Sequence, residues 1–266
     1  MTNDTPESMH PENNLQDSDT DYRLVVFSQP EEASVLEEAF MKLPGMDRAT
    51  ARLQSHLMPG IVPYAYSEAA AAQVADDLTR QNIKAQAICC DQLPDLVHSQ
   101  QVHHLRFTSD GLEAIDANEH VQFTAWDQIA MISVGITSSS APLHRRASPF
   151  LAQGSSHRSW NQGTKVGHRN RPEAFLVLKD GLPGLFLASD EMNYEALGDR
   201  IHPSSVANFR ELIRELIDRV PGGWATPSTL AFLEKTQALT TEFRSHEEFR
   251  RYSEFHTLCL QQVHNP

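Results

Sequence analysis

Cysteine, glycine and tryptophan are sparse: 3, 12 and 3 in 266 residues. Cys89 and Cys90 are adjacent and Cys259 is distant, so the count is odd and the neighbouring pair is poorly placed to bridge. A secreted disulfide framework is excluded, and three reduced thiols are expected, with Cys90 or Cys259 buried. No apolar run approaches the roughly 20 residues that cross a bilayer. Residues 1–21 have neither a basic head nor an apolar centre, so they do not read as a secretory signal, and a cytoplasmic location is expected. Gly-x-Gly-x-x-Gly, the Walker A pattern, Gly-x-Ser-x-Gly, Cys-x-x-Cys and His-Glu-x-x-His are all missing. The 13 histidines do not replace them, since His103-His104 would point to opposite faces of a strand. No cofactor, metal or catalytic residue is therefore expected. Positive charge is scarce too: 22 Lys+Arg against 35 Asp+Glu give a net charge of −13. That balance argues against nucleic acid or anionic lipid as a partner of the whole chain.

What is present begins with an acidic stretch. Residues 1–21 carry Asp4, Glu7, Glu12, Asp17, Asp19 and Asp21 with no Lys or Arg, and are expected to be disordered. They read either as a solubilising tail or as an acidic arm for a basic partner. From Tyr22 the pattern predicts a strand at 23–27 and a helix opened by Pro30, with Glu31 and Glu32 in its first turn. A short helix at 47–54, a strand at 61–66, a helix capped by Ser67 and a strand at 84–90 follow. The result is a β-α-α-β-α-β sandwich over residues 22–90.

That order, together with Gly60-Ile61-Val62-Pro63 and the run from Glu68 to Leu78, resembles the C-terminal domain of the ribosomal stalk protein and the ClpS adaptor. ClpS presents substrates to a AAA+ protease, so the resemblance implies a binding module. The Asn-Asp-Asp run with which such adaptors hold an N-terminal amine is replaced here by Ser28-Gln29-Pro30. The resemblance therefore implies the fold without that amine site.

Residues 91–101 read as a linker, after which the period changes to two. Strands are expected at 102–108, 112–115, 121–125 and 129–136, with Ser109-Asp110-Gly111 as a hairpin turn. Two more, at 173–179 and 184–188, flank Asp180-Gly181. A helix then follows from Ser204 or Ser205 to Pro221-Gly222-Gly223, with Val206, Phe209, Leu212, Ile213, Leu216, Ile217 and Val220 on one stripe. Trp126-Asp127-Gln128-Ile129 before a core strand, and the closing helix, resemble a small bacterial pleckstrin-homology-like (PH-like) barrel over 102–220. Residues 221–266 are expected as a helical C-terminal extension. There Thr226-Pro227 and Ser245-His246-Glu247-Glu248 are helix starts, and Phe249, Tyr252 and Cys259 share a face. The fold class is thus α+β: a βααβαβ sandwich, a mainly antiparallel barrel closed by a long helix, then C-terminal helices.

One segment inverts the charge. Residues 128–172 hold no Asp or Glu, and an insertion at 137–172 is expected between strands. Arg145, Arg146, Arg158, Lys165, Arg169 and Arg171 lie there, either on a solvated loop or as an arm for an acidic segment or polyanion. Asp199, Arg200, His202, Ser204 and Asn208 form the densest polar cluster, which helix capping explains. The sequence reads as a non-catalytic adaptor or scaffold for an unidentified protein partner. The rival is a metal-independent hydrolase or transferase using Asp199, His202 and Ser204.

Overall fold

The computed structural model describes residues 21–139, 169–179, 184–234 and 241–264. They are α+β and divide into two compact units, with the boundary between Gln92 and Leu93. The expected acidic tail lies outside the described residues except for Asp21, as does the Asp180-Gly181 turn.

The first unit runs β1 (Tyr22–Val26), α1 (Ala33–Phe40), α2 (Arg48–Ser55), β2 (Gly60–Ile61), α3 (Glu68–Thr79) and β3 (Ala85–Cys89), in the order the periodicity predicts. β1 lies between β2 and β3, antiparallel to both. Leu24, Val25 and Val26 are fully buried, as a central strand covered on both faces requires. The α1 helix starts later than Pro30, because Glu32 is an extended N-cap and Glu31 stands outside the first turn. Asp47 caps α2 by accepting the Thr50 N–H at 2.7 Å, a bond that holds its carboxyl below the usual range. Ser67 caps α3 through Ala70, and Ala71, Val74, Ala75 and Leu78 form its buried side. Cys89, Cys90 and Cys259 form no disulfide among the described residues, and all three are half-buried, so neither Cys90 nor Cys259 is buried as expected.

The second unit holds β4 (Gln100–Gln101), β5 (His104–Phe107), β6 (Gly111–Ile115), β7 (Val121–Ala125), β8 (Ile129–Ser139), β9 (Arg169–Leu178) and β10 (Leu185–Ala188). After them come α4 (Ser205–Arg219), β11 (Trp224–Ala225), α5 (Pro227–Glu234), β12 (Glu242–Phe243) and α6 (His246–His264). One sheet has the order β11-β8-β9-β10-β4, with β12 also on β8; the other is β5-β6-β7. No ladder among the described residues joins the two sheets, so a closed barrel is not what these strands show. A single apolar cluster joins them instead. Leu105, Leu112 and Ala114 of one sheet and Ile132, Val134 and Leu176 of the other meet Phe209, Leu212, Ile213 and Leu216 of α4. Val206, expected on that stripe, is 36% exposed.

In the first unit the strand expected at 61–66 is observed only as Gly60–Ile61, and three further boundaries differ from expectation. Residues 93–101 of the expected linker belong to the second unit: Leu96 is buried and β4 pairs with β10 in parallel. The expected insertion at 137–172 is narrower, because β8 and β9 remain paired out to Ser139 and Arg169. The C-terminal segment is more than a helical extension, since β11 and β12 add to the outer edge of β8. It is fixed there by buried hydroxyls. Thr229 donates to the Ile132 carbonyl at 3.0 Å and accepts the Val134 N–H at 2.8 Å. Ser133 and Ser253 share a bond of 2.8 Å. These contacts complete backbone and side-chain groups that burial would otherwise leave unpaired.

Candidate functional site

Of the six residues expected to bind anions, Arg145, Arg146, Arg158 and Lys165 lie outside the described residues. Arg169 opens β9, where its backbone pairs with Ser139. Arg171 serves the fold. Its Nε and Nη2 donate to the buried Glu173 at 2.9 and 2.6 Å, and its Nη1 reaches Glu191 at 2.7 Å and Asp190 at 3.4 Å. Three carboxylates around one half-buried guanidinium leave it poorly placed to recruit an external anion. Glu173 also accepts from His246 Nδ1 at 2.8 Å. Burial alone would raise its carboxyl, but the bonds from His246 and Arg171 outweigh that and hold it below the usual range.

The polar cluster before α4 is built as caps. Ser204 accepts the Ala207 N–H, and Asn208 bonds both backbone groups of His202, accepting at 2.6 Å and donating at 2.9 Å. Asp199 and Arg200 sit in a 3-10 segment, Glu195–Arg200, that turns away through Gly198 at φ 54°. Of this cluster, Arg200 lines a cavity.

That cavity, of about 480 Å³, lies between β5, the 3-10 segment and the C-terminal end of α4. Arg106 comes from β5, Arg200 from the 3-10 segment, and Glu215 and Arg219 from consecutive turns of α4. The i,i+4 spacing puts Glu215 against Arg219, with Nε and Nη2 at 2.7 and 2.6 Å, and Arg200 Nη2 closes on the same carboxylate at 2.9 Å. The hydrogen bond from Arg219, supported by Arg200, holds the Glu215 carboxyl below its ordinary range. Arg219 is in turn laid over the rings of Phe107 and Trp126, 5.1 and 5.8 Å from their centroids. A cation on the last turn of a helix also faces the negative end of its dipole. His104 lines the same cavity, and its Nδ1 is buried with no hydrogen-bond partner among the described residues.

The opposite edge strand of this sheet is β7. Among the described residues β7 pairs only with β6, and its sequence has no Pro, Lys or Arg to guard the edge. Val121 and Phe123 share a face at the two-residue period and are 57% and 54% exposed. The Phe123 ring lies on Gly111, where any Cβ would collide with it.

The apolar stripe of α4 leaves Glu215 and Arg219 off its buried face, but nothing local marks the cavity, because its walls meet only through tertiary packing. Arg106 carried no local signal at all. Comparison with protein-family models, with curated proteins and with solved structures finds no match to this chain. No helix among the described residues is long and apolar enough to cross a membrane, and no group of His, Cys, Asp and Glu there is arranged to hold a metal.

Proposed function

We propose that this protein is a non-catalytic adaptor or scaffold whose second unit binds an extended segment of a protein partner by strand addition at β7. The observation that carries this reading is the unguarded β7 edge with Val121 and Phe123 exposed beside it. An added strand gains main-chain hydrogen bonds, and every second side chain lands on the face where those two apolar groups stand. The β-α-α-β-α-β order of the first unit supports a ClpS-like binding module. The two sheets packed on α4 support a PH-like second unit, which serves here as a rigid frame for the edge.

The test is affinity purification of native complexes with the wild-type chain and with a V121K/F123K variant. Both positions are more than half exposed, so the variant should keep its circular dichroism and melting midpoint. The expected result is a set of proteins recovered with wild type and lost from the folded variant. Identical sets for the two chains would overturn the reading.

A further inference from the structure

A chain of net charge −13 repels anions at long range, yet the cavity beside α4 gathers three arginines from three elements. Arg106 is 65% exposed, and its carboxylate partner Glu113 stands 3.9 Å away on the neighbouring strand. Arg200 is 52% exposed and Arg219 39%, and they share the single carboxylate of Glu215. Glu195 is the second acid of the lining. With Glu113 counted, three carboxylates balance the three guanidinia, so what the site offers is N–H donors rather than an excess of charge. Glu215 accepts the Arg219 Nε–H and pairs with one further nitrogen of Arg219 and one of Arg200, and a guanidinium has five N–H donors. Arg219 is held flat by its two aromatic rings, so little of its motion remains to be lost on binding. The Nδ1 of His104, without a partner among the described residues, adds a further polar group.

We propose that this cavity binds a carboxylate of the partner polypeptide, on an acidic segment, with Arg106 and Arg200 as the engaging donors and Glu215 positioning Arg219 beside them. The inference deepens the adaptor reading and rests on it for the ligand being a polypeptide. The charge selects the ligand class. Donors to spare without excess positive charge suit a singly charged carboxylate better than a doubly charged phosphate. Glu215 shows that a carboxylate fits between two of these arginines at 2.6–2.9 Å. The volume also falls within the roughly 300–1,000 Å³ usual for a small-ligand site.

The experiment uses the full chain and fluorescence anisotropy with a labelled Asp/Glu-rich peptide and its Asn/Gln counterpart at low salt. The acidic peptide should bind and the amide peptide should not. An R106Q/R200Q variant should bind about tenfold or more weakly. R106Q alone, which disturbs only a long exposed pair, should already weaken binding and guards against misfolding of the double variant. A variant with Arg145, Arg146, Arg158 and Lys165 changed to Ser should bind as wild type. The proposal is overturned if the acidic peptide does not bind, if the four-site Ser variant loses binding while R106Q/R200Q keeps it, or if inorganic phosphate displaces the peptide at concentrations where acetate does not. None of these outcomes bears on partners lost with V121K/F123K, so the adaptor reading and this inference fail separately.

Discussion

On the α4 side of β8, Ile132 and Val134 meet Phe209, Ile213 and Leu216 in a layer without polar atoms from those side chains. On the α6 side, Met131 is followed by Ser133 and Gly135, and the covering groups are Phe243, Phe249, Ser253 and Tyr252. Both faces are buried, but by different means. The α4 face is non-directional burial, which the two-residue alternation of Ile132, Val134 and Ile136 announces. The α6 face adds direction: the Ser133–Ser253 bond, the Glu173–His246 pair and the space above Gly135 each fit one register of α6 on the sheet. Apolar area stabilises a layer, whereas paired polar groups penalise every other way of stacking it.

The largest expected effect tests the apolar face. Phe209 is fully buried, so Phe209→Ala should cost about 3–5 kcal/mol by urea unfolding. A loss under about 1 kcal/mol would mean that α4 does not hold the two sheets together. The α6 face should respond instead to added volume. A Cβ at Gly135 would lie 2.5 Å from Phe249 Cδ2 and 2.7 Å from Phe243 Cδ2, so Gly135→Val should cost about 2–3 kcal/mol. The same variant with Phe249→Leu should recover part of that loss, and no recovery would place the clash elsewhere.

Acid should separate the faces further. His256 of α6 packs against Tyr252, Trp224 and Phe255, and burial pushes its imidazole down to about 4. The unfolded chain binds that proton near pH 6.5, so stability falls as pH drops from about 6.5 towards 4. Glu173 acts in the next window. Its folded carboxyl lies below the unfolded value of 4.5, so its contribution is present above that pH and is lost as pH falls through it. The urea midpoint should therefore fall between pH 7 and pH 5 in wild type and fall less in His256→Phe. Equal falls in the two chains would remove His256 from the account.

The same contrast explains what could be read from the sequence. The order β-α-α-β-α-β, the strand at Val121–Ala125, the long helix and the Thr226-Pro227 start all rest on local period, caps and turns, and those signals lie within a few residues of one another. Ser245 likewise caps α6 by accepting the Glu248 N–H at 3.2 Å. β4, β11 and β12 were not legible, because each is two residues long and exists only by pairing with a distant strand. The need for glycine at 135 is not legible locally either, because it comes from the two phenylalanines packed above it. The cavity follows the same logic. Arg106 and Arg219 are 113 residues apart in sequence (219 − 106), and Arg171 looked like part of a free basic arm until Glu173, Asp190 and Glu191 were found around it.

The smallest expected effect lies at the margin of the α4 layer. Arg210 sits on the side of α4 that the helical stripe assigns to solvent, where truncation to Ala should cost under about 0.5 kcal/mol. In the structure α5 reaches that side. Arg210 Nε donates to the Phe232 carbonyl at 3.1 Å, and the guanidinium lies 4.8 Å from the Phe232 ring centroid. A hydrogen bond from a charged donor to a part-buried carbonyl and an exposed cation–π contact each contribute on the order of 0.5–1 kcal/mol. Arg210→Ala should therefore cost about 1 kcal/mol, and Arg210→Lys less, because Lys keeps the charge without the planar fork. A double-mutant cycle with Phe232→Leu separates the two parts. The ring contact contributes if Arg210→Ala costs less in the Leu background, and the carbonyl bond alone accounts for the loss if the cost is unchanged.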